Sequence, residues 1–78
     1  MHFPSRAQIA ALQRQYPGGT KVELLGMDDP QALPMGTMGE ILGVDDAGQL
    51  LVRWETGSSL SLIPGVDFFR IVQKGGKG

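Results

Sequence analysis

TMGEILGVDDAGQLLVRWE, residues 37–55, is the stretch that decides the fold. From Gln49 to Glu55 the side chains alternate, with Leu50, Val52 and Trp54 on one face and Leu51, Arg53 and Glu55 on the other. That period of two is the mark of a half-buried strand. Before it, Thr37 to Val44 reads as a second strand with Ile41 and Val44 facing the core. Their spacing of three breaks strict alternation, and a β-bulge near Gly43 would restore it. Between the two strands, Asp45-Asp46-Ala47-Gly48 reads as a tight turn with Gly48 in the left-handed position. The stretch is therefore an antiparallel hairpin with one apolar face.

Upstream the period changes. Ser5 to Tyr16 reads as a helix opened by a Ser5/Gln8 capping box, with Ile9, Leu12 and Tyr16 forming a narrow apolar stripe. Pro17, Gly18 and Gly19 end it. A helix of about three turns is marginal alone, so the stripe must dock on something. Thr20 to Leu25 alternates as a strand with Val22 and Leu24 inward. Met27 to Gly36 (MDDPQALPMG) holds two prolines and two aspartates, which neither a helix nor a central strand accepts, so it reads as a long loop. Downstream, Thr56-Gly57 turns the chain. Ser59 to Ile63 is expected as a strand with Leu60 and Leu62 inward, Pro64 to Asp67 as a single 3₁₀ turn, and Phe68 to Val72 as the last strand, burying Phe69 and Ile71. Lys74 to Gly78 (KGGKG) has no apolar anchor and is expected to be disordered. The expected architecture is mainly β: residues 1–19 a helix and turn, 20–72 a five-stranded SH3-like barrel, and 73–78 a tail. Closing the meander would remove the strand edges that so small a chain can hardly leave open.

The 78 residues allow one domain, and the absence of cysteine excludes disulfides, thiolate–zinc sites and a cysteine nucleophile. A core must come from the 41% of residues that are hydrophobic. No apolar run spans a bilayer and Met1 to Ser5 lacks the pattern of a signal peptide, so a cytoplasmic protein without a membrane partner is expected. A net charge of −1 with scattered basic residues gives no obvious footprint for phosphate binding.

Chemistry-bearing residues are few. Asp28-Asp29 and Asp45-Asp46 could offer oxygen ligands to a hard cation, but they lack the alternating carboxylates of a calcium loop, and turn chemistry explains them better. Trp54 could line a peptide groove or an aromatic cage, yet its phase with Leu50 and Val52 favours the core. Arg53, on the opposite face, could grip a carboxylate or phosphate; a cross-strand pair is the plainer reading. Ser58, Ser59 and Ser61 have no base, since the sole histidine is His2, and no phosphate loop accompanies the glycines. Leu33, Met35 and Met38 flank the end of the long loop. They read as an adaptable surface, a cover for the barrel end, or a seat for Ile9 and Leu12, with packing favoured.

From the helix before Tyr16-Pro17 to about Ile71 the chain resembles a small bacterial family, domain-of-unknown-function family 4314. The segments that carry the likeness are Met27-Asp28-Asp29-Pro30, Val44-Asp45-Asp46 with Gly48, Val52-Arg53-Trp54 with Gly57, and Leu62-Ile63-Pro64-Gly65. Glu55-Thr56-Gly57 departs from the Asp-Asn-Gly type of turn expected there. The resemblance implies a shared fold and an association with bacteria, phages and mobile elements; it implies no activity, cofactor or catalytic residue. The expected function is a non-catalytic module without cofactor that binds a protein or peptide. Its surface is expected between the Met27 to Gly36 loop and the Asp45 to Gly48 or Thr56 to Ser58 turn, using Asp28, Asp29, Leu33, Met35, Asp45, Asp46, Arg53 and Trp54. The alternative is a nucleic-acid accessory protein, which would need Lys21, Arg53 and Arg70 gathered on one face. The sequence does not indicate an oligomeric state.

Overall fold

The computed structural model describes residues 4–27 and 32–75. Helix α1 (Arg6–Gln15) is followed by strands β1 (Lys21–Gly26), β2 (Met38–Val44), β3 (Leu50–Trp54) and β4 (Phe68–Gln73), which form one open antiparallel sheet in the order β3-β2-β1-β4. The fold is mainly β with one helix.

The capping box forms as its residue types require. Gln8 donates its N–H to Ser5 Oγ at 3.1 Å, and Ser5 donates its N–H to Gln8 Oε1 at 2.7 Å. The helix buries no residue fully; Ile9 and Leu12 are half-buried. Leu12 and Pro4 lie against Gly48, so the helix rests on the β2–β3 turn. Tyr16, which caps the helix C-terminus, packs a tilted ring on Phe69 of β4 with centroids 5.6 Å apart.

The hairpin at residues 37–55 forms with the expected bulge. Ile41 pairs with Val52 and Gly43 with Leu51, which leaves Leu42 as the extra residue and returns Val44 to the inner face opposite Leu50. The turn places Gly48 at φ 80°. Val22, Leu24, Ile41, Leu50, Val52, Trp54 and Leu62 make the buried core.

One repetition organises both strand entries. Pro17-Gly18-Gly19-Thr20 precedes β1 and Pro34-Met35-Gly36-Thr37 precedes β2. In each, the threonine donates its backbone N–H to the proline carbonyl (3.1 and 3.2 Å) and its hydroxyl to the same oxygen (2.6 and 2.7 Å). The third residue must adopt a positive φ, 91° at Gly19 and 94° at Gly36, as a type II turn demands. Thr20 and Thr37 are consequently buried although polar.

Three expectations for the C-terminal half are corrected. Ser59 to Ile63 does not form a fifth strand and the sheet is not closed into a barrel: the segment contributes a single bridge, Leu62 to Leu50, with reciprocal bonds of 2.8 and 2.9 Å. The carbonyl of Leu60, which a longer ladder would use, instead accepts the indole N–H of Trp54 at 2.8 Å. Pro64 to Asp67 is not a 3₁₀ turn, because Gly65 stands at φ 86°. The turn is closed reciprocally by Asp67, whose N–H donates to the Ile63 carbonyl (2.9 Å) while its Oδ2 accepts the Ile63 N–H (2.8 Å). Finally, Ile71 lies opposite Val22 yet is 39% exposed, because β4 ends the sheet and nothing among the described residues lies beyond it. Phe69 is half-buried against the core.

The start of the tail is held without any apolar anchor. Gly75 donates its N–H to Thr20 Oγ1 at 3.0 Å and lies so close to the backbone of Gly19 and Thr20 that a side chain there would collide. Residues 76–78 lie outside the described residues.

Candidate functional site

Among the described residues, the expected site residues do not converge. Asp28 and Asp29 lie outside the described residues. Asp45 is occupied by its own turn: Oδ1 accepts the N–H groups of Ala47 (3.0 Å) and Gln49 (2.8 Å), while Asp46 is exposed beside it. This is the turn chemistry that its position at the head of a hairpin favours. Among the described residues no cluster of three or more His, Asp or Glu side chains could hold a metal ion. Leu33 packs half-buried against the core, whereas Met35 is 76% exposed.

Trp54 is 2% exposed, in the core position that the alternation of β3 indicates, so the reading that placed it on a binding surface does not hold. The Asp45 to Gly48 turn also shares no groove with residues 32–36, the described end of the long loop. The two flank opposite ends of β2, whose seven residues span about 20 Å. The Thr56 to Ser58 turn lies at the loop's end of β2, since Glu55 N–H donates to the Met38 carbonyl (2.9 Å) and Glu55 Oε2 accepts the Met38 N–H (3.0 Å).

Two surfaces stand out instead. The first is the outer face of the sheet, where an open groove of about 430 Å³ runs across all four strands between Arg53 and Val72. Its floor is an ion-pair ladder set by strand register. Glu40 lies opposite both Lys21 and Arg53, and its Oε1 takes Arg53 Nη2 at 3.2 Å and Lys21 Nζ at 3.5 Å. Further along β1, Glu23 Oε1 accepts Arg70 Nε at 2.6 Å. Lys21, Arg53 and Arg70 therefore do gather on one face, as a nucleic-acid reading requires, but each is engaged by a carboxylate. The cross-strand pair expected for Arg53 is present; its partner Glu40 is not evident from the sequence because the pairing depends on the β2–β3 register.

The hydrogen bond from Arg53, followed by the charge of Lys21, holds the Glu40 carboxyl below its ordinary pKa of 4.5. A carboxyl with a lowered folded-state pKa stabilises the fold above its ordinary pKa, and that contribution is lost as pH falls through the lowered value. We expect NMR titration of the Glu40 carboxyl to show a midpoint below the ordinary glutamate value. Arg53→Ala and Lys21→Ala should each raise it. No change in Arg53→Ala would remove the guanidinium as a cause. Both ion pairs are exposed enough that added salt should weaken the shift.

The second surface is the outer edge of β4. Its burial pattern is exposed at every position except the half-buried Phe69, and Phe68 (69%) and Val72 (44%) are apolar side chains open to solvent. The alternation of the ladder fixes which backbone groups face outward. Leu24 directs both its N–H (to Thr37 O, 2.8 Å) and its carbonyl (from Gly36 N, 2.7 Å) toward β2. Glu23, its neighbour, therefore faces β4, Arg70 opposite it faces β1, and the N–H and C=O groups of Phe69 and Ile71 point away from the sheet. Alternation identifies Phe68 to Val72 as a strand but not as an edge.

Among the described residues no helix is long and apolar enough to cross a membrane. No curated protein and no solved structure matches the chain. A family model described as Domain of unknown function (DUF4314) matches residues 5–72, almost the whole length, and the chain belongs to that family.

Proposed function

We propose that this chain is a non-catalytic interaction module that binds a protein or peptide, and that it does so by accepting an extended segment along β4. The observation that carries the reading is the open edge itself, where the backbone groups of Phe69 and Ile71 face outward between the exposed side chains of Phe68 and Val72. An added strand supplies the missing hydrogen bonds, and alternate side chains give it selectivity. In this reading the four-stranded sheet is the incomplete wall of an SH3-like barrel, with residues 58–62 standing where a further strand would pair with β3. The outward serines Ser59 and Ser61 are polar-face residues of that segment, without a role as nucleophiles.

A nucleic-acid accessory role is the second reading, favoured by the gathering of Lys21, Arg53 and Arg70 and opposed by Glu23 and Glu40, which already neutralise them. One experiment separates the two. Panning a displayed library of random linear peptides should enrich β-prone sequences that slow exchange of the Phe69 and Ile71 amides. No enrichment would overturn the proposal. A gel shift with single- and double-stranded DNA and RNA at low salt should show no retardation; retardation there would favour the second reading.

A further inference from the structure

The sheet has two outer strands but only one open edge among the described residues. The outer side of β3 is taken up by the segment that follows it, through the two Leu50–Leu62 bonds and the bond from Trp54 N–H to the Ser58 carbonyl at 3.2 Å. Among the described residues nothing pairs with the outer side of β4. This asymmetry decides what edge-to-edge pairing would build. A sheet with two open edges extends into a filament, whereas a sheet with one closes after a single pairing about a twofold axis.

We propose that the open edge of β4 pairs with β4 of a second copy of this chain, joining two sheets into one continuous antiparallel sheet. The inference rests on the reading of β4 as a strand-accepting edge and names its occupant. The outward-facing backbone groups belong to Phe69 and Ile71, so the register that bonds them to each other across the axis centres on Arg70. In that register Phe69 of one copy meets Ile71 of the other on the core side of the sheet. On the outer side Phe68 meets Val72, which shares the groove with Lys21 and so faces outward.

Apolar side chains thus meet apolar side chains on both faces. The one charged residue on the axis, Arg70, is already paired with Glu23 of its own chain at 2.6 Å, which reduces the repulsion between the two copies. A net charge of −1 leaves little long-range repulsion to oppose association. Since the contact is only one strand wide, the dimer belongs to the weak, concentration-dependent class.

Sedimentation velocity on the full chain, from micromolar to millimolar concentration, tests this. The expected result is a shift from monomer to dimer that stops at dimer. In parallel, exchange of the Phe69 and Ile71 amides should slow with concentration, while the Arg70 amide, which faces β1, stays unchanged. Ile71→Pro removes an N–H that no β1 bond uses and should give a monomer with native-like tryptophan emission. Ile71→Lys is the second route to the same outcome. Leu51→Lys, an equally exposed change on β3, should still dimerise. A monomer at millimolar concentration with concentration-independent amides overturns the inference, as does a dimer that survives both Ile71 variants or assembly beyond two copies. If both variants fail to fold, the wild-type exchange pattern alone decides. A monomer whose Phe69 and Ile71 amides are protected by library peptides removes self-pairing and leaves the strand-binding function standing. A monomer that selects no peptide removes both.

Discussion

Replacing Gly39 by alanine is expected to lower the thermal midpoint by roughly 15 °C, a loss of about 2–3 kcal/mol at ~4–8 °C per kcal/mol for a domain this small. Gly39 faces inward opposite Trp54, and a Cβ there would stand 2.6 Å from Trp54 Cε3 and 2.7 Å from Val52 Cγ1. Neither neighbour has room to retreat. The indole is held by its bond to the Leu60 carbonyl, and Val52 is buried beneath the sheet. The sign of the effect discriminates, because glycine in a strand is otherwise a liability and alanine in an unobstructed place should stabilise by about 0.5–1 kcal/mol. Gly43, in the same strand, is such a place: a Cβ added there would meet nothing within 4 Å, and its φ is not positive. Gly43→Ala should therefore be neutral or slightly stabilising. A thermal midpoint for Gly39→Ala at or above wild type would show that the indole does not lie where the packing puts it.

The Gly39–Trp54 contact also shows where sequence reading stops. Alternation along residues 49–55 places Trp54 inward, and the interrupted alternation before it places a bulge at Gly43. Both follow from local spacing, as does the Ser5/Gln8 capping box. That Gly39 lies under the indole depends on the β2–β3 register, which the bulge shifts and which no local spacing reveals. The same holds for Glu40, which joins Arg53 and Lys21 only once three strands are aligned. Residues 59–63 fail as a strand for a different reason. The inward position of Leu62 is legible, but a side-chain donor from β3 captures the Leu60 carbonyl, and alternation carries no information on where a carbonyl is spent.

Some of what local spacing hides still leaves a trace. The two Pro-x-Gly-Thr tetrapeptides immediately precede their strands, and their repetition marks both turns and both buried threonines. For the interaction surface, the sequence points to loops, where acidic and apolar residues cluster. The structure directs attention to an edge instead, because edge status belongs to topology: Phe68 to Gln73 would read the same way in the middle of a sheet.

Trp54→Ala is expected to cost about 3–5 kcal/mol, the range for emptying a buried aromatic site. A domain of this length has a total stability of roughly 4–12 kcal/mol, so the variant should lose a large share of it and unfold at a much lower denaturant concentration than wild type. Far-UV circular dichroism in a denaturant series is the measurement, since the change removes the only tryptophan. Trp54→Phe separates the two parts of this effect. It keeps most of the apolar volume but loses the indole donor, leaving the Leu60 carbonyl without its partner at a cost of about 1–3 kcal/mol. The loss should also be local. Residues 58–62 are tied to β3 by the indole bond, by Trp54 N–H to Ser58 and by the Leu50–Leu62 pair, so removing the first should loosen the others. The Leu62 amide is then expected to exchange faster in Trp54→Phe than in wild type by a larger factor than the β1 and β4 amides. Uniform acceleration across the sheet would mean that the indole contributes bulk alone. Selective acceleration would identify its N–H as what fastens the segment over the β3 edge and leaves β4 as the single open edge among the described residues.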